Sequence, residues 1–103
     1  MSEFATEQVT ASVKRALWGE VTSRSRCVQF RRSGHRINLR FYFDRIPNYD
    51  DRDAIGVVGA EVAADFTDAT VFEEAIGTSR DDSPARQQGW TIVYAWKEPS
   101  LTR

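Results

Sequence analysis

Residues 36–44, RINLRFYFD, set Ile37, Leu39, Phe41 and Phe43 at every second position, with Asn38, Arg40, Tyr42 and Asp44 between them. Side chains of a strand point alternately to its two faces, so this run predicts a strand with one buried face. The preceding run, SRSRCVQFRR at 23–32, alternates in the same way through Val28 and Phe30. Between the two, RSGH at 32–35 carries the Ser-Gly pair of a tight turn. The two runs therefore read as a β-hairpin, and the rest of the chain has to cover its apolar face.

The flanking segments change period. From about Thr6 to Trp18, the residues Val9, Val13, Ala16 and Leu17 fall on one helical stripe. Ser2 or Thr6 is placed to cap its start, and Gly19 to stop it. After Pro47, the residues Ile55, Val58, Val62 and Phe66 form a second stripe, with Asn48 or Asp50 as its cap. Gly59 lies on that stripe, a cost of about 1 kcal/mol relative to Ala, tolerable where a helix must approach a sheet closely. ATVFEEAIG at 69–77 reads as a third strand. TSRDDSPARQQG at 78–89 reads as an exposed loop. WTIVYAWKE at 90–98 reads as a fourth strand, with Trp90, Ile92, Tyr94 and Trp96 on one side. Both sides of this last strand are apolar, which predicts a central position in the sheet. The expected fold is α+β in the order α-β-β-α-β-β: a four-stranded antiparallel sheet with two helices packed on one face, in a single domain of 103 residues.

Several classes of activity are excluded by counting. Cys27 is the only cysteine and His35 the only histidine, so neither an internal disulfide nor a Cys/His zinc site can form within the chain. No apolar run reaches the ~18–20 residues that span a bilayer. The start, MSEFATEQVT, lacks the basic and apolar regions of a signal peptide, so the expectation is a cytoplasmic protein. Cys27 and His35 as nucleophile and base would need an orienting third group that the sequence does not mark. No cofactor is implied.

The net charge of −1 hides a division. Residues 1–40 carry eight basic and three acidic side chains, net +5, whereas residues 41–86 carry four basic and eleven acidic, net −7. Either the halves pair across the folded domain, or one acidic face is offered to a partner. The near-neutral total argues against direct binding of nucleic acid, which needs a dominant basic surface. Among the acids, Asp50, Asp51 and Asp53 crowd the start of the second helix, where carboxylates satisfy free N–H groups and the helix dipole. A calcium loop read from Asp51 fails, because Ile55 and Val62 occupy ligand positions. Glu61 and Asp65 share a helical face and read as solvated or as partners for the N-terminal arginines. Glu73, Glu74, Asp81 and Asp82 form a second acidic region around the long loop. Asp50, Asp51, Asp53, Glu73, Glu74, Asp81 and Asp82 are thus the candidate partner-binding residues. A pocket between sheet and helices, near Tyr42, Tyr94 or Glu61, is the alternative and would serve a small ligand or an enzyme.

The run ALWGEV (16–21), the hairpin strand ending in LRFYFD (39–44), the helix ending in AEVAADF (60–66) and the closing WTIVYAWKE (90–98) together resemble small bacterial α/β immunity proteins of contact-dependent inhibition and related toxin systems. The resemblance covers roughly residues 16–98. It implies a non-catalytic inhibitor that binds a cognate toxin domain, with no membrane role, as a monomer or weak homodimer. Asp44, Glu61 and Asp65 lie within the shared motifs and are expected to hold the fold. Acidic charge on such a domain would complement the basic cleft of a toxin that attacks nucleic acid.

Overall fold

The structure, a computed structural model, describes residues 5–78 and 87–96. The elements follow in the order α1 (Thr6–Ala16), β1 (Ser25–Ser33), β2 (Arg36–Asp44), α2 (Tyr49–Asp65), β3 (Thr70–Thr78) and β4 (Thr91–Ala95). The hairpin forms as its alternation requires. β1 and β2 pair antiparallel, with Phe30 opposite Leu39 and Val28 opposite Phe41, and Gly34 turns the chain at φ 58°.

Both helices lie on one face of the sheet. Val9, Val13, Ala16 and Leu17 of the first stripe and Ile55, Val58, Val62 and Phe66 of the second share one buried cluster with Val28, Phe30, Ile37, Leu39, Phe41 and Phe43. Burying a side chain such as Phe30 stabilises the fold by about 1.5–3 kcal/mol. α1 ends two residues before Trp18, and Ala5 rather than Ser2 or Thr6 is its cap residue. There Gln8 Oε1 accepts the Ala5 N–H at 3.0 Å, and Ser2 lies outside the described residues.

The sheet is mixed, not antiparallel throughout. Its order is β3-β2-β1-β4, with β1 antiparallel to both neighbours and β3 parallel to β2. The reason is the helix between them. α2 carries the chain from the end of β2 back to the start of β3, and a strand entered after such a crossover runs parallel to the one before it. β4 is an edge strand, not a central one. It pairs with β1 only from Cys27 to Phe30, and a register shift between Val28 and Gln29 interrupts the ladder. That shift also breaks the alternation expected of β4. Tyr94 pairs with Val28 and packs against the core, whereas Trp90 turns to the open face against Arg40; Trp96, past the end of the strand, lies against Arg26. β1 is the central strand, buried on both sides from Ser25 to Phe30.

Two glycines of the acidic half make opposite demands. A Cβ at Gly77 would collide with the backbone of Arg45, a residue held at φ 64° whose N–H donates to Thr78 O at 2.7 Å. Gly56 lies in α2 with open space around it. Gly77→Ala is therefore expected to lower stability by about 1–3 kcal/mol through overpacking, and Gly56→Ala to raise it by about 0.5–1 kcal/mol through helix propensity. Urea unfolding midpoints of the two variants should move in opposite directions.

Candidate functional site

The Asp50–Asp53 cluster is split by the helix it begins. Asn48 is the N-cap: its Oδ1 accepts the Asp51 N–H at 2.8 Å, and Asp51 Oδ2 accepts the Asn48 N–H at 2.9 Å. Each side chain thus satisfies a backbone donor that the helix start leaves open. Arg24 braces the pair from the other side of the hairpin, its Nε donating to Asp51 Oδ2 at 2.9 Å and its Nη2 to Ile46 O at 2.9 Å. Asp51 is 5% exposed, so its carboxylate belongs to the fold and is not presented to a partner. Asp50 and Asp53 are exposed.

Pairing between the halves of the chain decides which acids stay available. Among the described residues, ion pairs that join residues 1–40 to residues 41–86 include Arg15–Asp65 at 2.7 Å, Arg24–Asp51 at 2.9 Å, Arg26–Asp44 at 3.5 Å and Arg40–Glu74 at 3.1 Å. Asp44 and Asp65 hold the fold, as the shared motifs imply. Ser12 Oγ also donates to Asp65 at 2.6 Å, and these hydrogen bonds together with the Arg15 charge lower its pKa. Asp50, Asp53, Glu61 and Asp68 have no ion pair among the described residues. The first three are spaced so that they lie, with Val57, along the outer face of α2. Glu61 is therefore not a fold residue; its separations of 11 and 8 residues from Asp50 and Asp53, about three and two helical turns, place it on their face.

Glu73 and Glu74 do not form one patch, because neighbours in a strand face opposite ways. Glu74 is on the open face with Arg40, whose guanidinium also lies over Trp90 at 3.9 Å. Glu73 turns to the helix face, where its carboxylate occupies the space that a Cβ at Gly59 would need. The missing Cβ lets α2 and β3 approach, and desolvation there raises the Glu73 pKa. Asp81 and Asp82 lie outside the described residues.

The remaining candidates are structural. Cys27 is buried on the central strand, and burial raises its thiol pKa. His35 lies in the turn at the far end of that strand, about 25 Å away at ~3.3 Å per residue, so the two cannot act together. Gln29 is fully buried beside it; its Nε2 donates to Cys27 Sγ at 3.6 Å, and its Oε1 has no hydrogen-bond partner among the described residues. Between the helices and the sheet, the cavity lined by Leu17, Val21, Phe43, Ile55 and Val58 amounts to about 10 Å³. A cavity needs about 10–15 Å³ to admit one water, so this space does not accept a small ligand. Among the described residues, no helix is long and apolar enough to cross a membrane.

Among the described residues, four large exposed apolar side chains lie at one end of the domain, apart from Phe72 on β3 and Val57 on the outer face of α2. Trp18 is 84% exposed, Tyr49 81% and Ile46 80%, with Trp96 also exposed. Trp18 lies in the turn after α1, Ile46 precedes α2 and Tyr49 begins it, and Trp96 follows β4; all lie where β1 begins and β2 and β4 finish. An open groove lined by Arg45, Ile46, Pro47, Gly77 and Thr78 adjoins Ile46. Large exposed aromatics beside charged residues are the side chains that dominate protein–protein contacts.

The domain thus combines a filled interior with an apolar, solvent-exposed end. The chain belongs to the MafI2 immunity protein family, whose model matches residues 6–98. This agrees with the likeness to small immunity proteins of bacterial toxin systems. No curated protein matches the chain.

The two perturbed acids titrate with opposite sign. The folded pKa of Asp65 is lowered, so its stabilisation is present above the ordinary value of 3.8 and is lost as pH falls through the folded value. The folded pKa of Glu73 is raised above 4.5, so proton uptake there favours the fold and the charged form weakens it. Asp65→Asn is expected to destabilise at pH 7 and to match the parent in strong acid. Glu73→Gln is expected to stabilise at pH 7, with the gain vanishing as pH drops towards 4.5. Thermal melts across pH 3–7 check both.

Proposed function

We propose that the protein is a non-catalytic inhibitor that binds a cognate bacterial toxin domain in the cytoplasm and blocks it, and that the toxin covers the end of the domain bearing Trp18, Ile46, Tyr49 and Trp96. The observation that carries this reading is the exposure of Trp18, Ile46 and Tyr49, each 80% or more, beside the unpaired carboxylates Asp50 and Asp53. Apolar anchors of this kind supply affinity once water is excluded around them. The acids supply steering: a basic toxin cleft approaching Asp50, Asp53 and Glu61 meets the charges that the N-terminal arginines leave uncompensated. Family membership supports the immunity role.

Affinity for a cognate toxin domain tests the assignment. Tyr49→Ala is expected to weaken binding at least tenfold. Asp50→Lys with Asp53→Lys is expected to slow association and to flatten its dependence on salt, because rim charges act mainly on the encounter. Wild-type affinity and salt dependence in these variants would remove this surface from the interface. Neutralising Glu73, Glu74, Asp81 and Asp82 together reports on the second acidic region in the same assay.

A further inference from the structure

The two edges of the sheet are finished differently. β3 carries Glu73 and Glu74 at its middle, and charge on an edge strand discourages another chain from pairing with it. β4, TIVYA, carries no charge, and no described residue pairs along its outer side. It is apolar towards both faces, the composition of a strand with neighbours on both sides. Beside it, between β4 and the end of α1, runs an open groove of about 490 Å³. Leu17, Val21, Val93 and Tyr94 line it and Trp18 walls it. Lys14 stands at its rim, exposed and with no ion pair among the described residues. No acidic side chain lines the groove.

Resting on the toxin-binding reading above, we infer that β4 and this groove receive an extended segment of the toxin. The segment adds as a strand to the β4 edge, lays apolar side chains against Trp18 and Tyr94, and brings a carboxylate to Lys14. Main-chain hydrogen bonds to the edge give such an addition its affinity, and the side-chain groove gives it selectivity. Charge decides between this occupant and a second copy of the chain. A second copy paired through β4 would set the same uncharged strand and the same basic rim against each other, with no acid in the groove to meet Lys14.

The test uses the full chain with its cognate toxin domain. Trp18→Ala and Lys14→Glu change exposed side chains, and unchanged melting temperatures establish that each variant folds. Each is expected to raise Kd at least tenfold. In the wild-type complex, amides of residues 91–95 are expected to exchange more slowly than in the free protein. Wild-type affinity in both variants, or unaltered exchange along β4, overturns the inference while leaving toxin binding intact. A free protein that sizes as a dimer and becomes monomeric with Trp18→Ala assigns the groove to a second copy and overturns it as well. A wild-type chain that does not bind the toxin removes the immunity reading and this inference together.

Discussion

The architecture hangs on the junction of Arg24, Asn48 and Asp51. At that point the chain leaves β2 and must become a helix within five residues. The reciprocal Asn48–Asp51 bonds satisfy the first donors of α2, and Arg24 ties the same carboxylate to the opposite strand of the hairpin. With its start pinned there, α2 lies back across the sheet and delivers β3 parallel to β2. The same junction holds Ile46 by its carbonyl and leaves Tyr49 outside, so the brace that builds the fold also presents the apolar side chains at its end.

The charge division of the chain serves two purposes. Most of the basic half is used inside the domain, in ion pairs with the acidic half and in stacking on Trp90, Trp96 and Phe72. Exposed pairs such as Arg15–Asp65 add little each; their larger effect is to sort the carboxylates. Among the described residues of the acidic half, what remains uncompensated is mainly the outer face of α2, with Asp68 just beyond its end.

Much of this was legible in one dimension because it rests on period. The hairpin and both helical stripes follow from spacing alone, and the core they predict is the core observed; of the two candidate caps, Asn48 and Asp50, the structure uses Asn48. The candidate site was less legible. Asp50, Asp51 and Asp53 look alike in sequence, yet Asp51 is buried by a partner 27 residues away, a separation no local pattern encodes. Glu73 and Glu74 look like one patch, yet the pleat sends them to opposite sides of the sheet. Trp18, Ile46 and Tyr49 carry no distinguishing local signal, because an apolar residue at the end of a helix or strand reads as core until its neighbours are placed.

By itself the sequence determined the elements, the helix-bearing face of the sheet and the absence of zinc or disulfide chemistry, since periodicity and composition are properties of the chain. Only the tertiary structure decided strand order, the parallel β3, the edge position of β4 and which charges stay unpaired. Those depend on contacts between segments far apart in sequence, where the β2–α2–β3 crossover and a register shift at Val93 override what each segment prefers on its own.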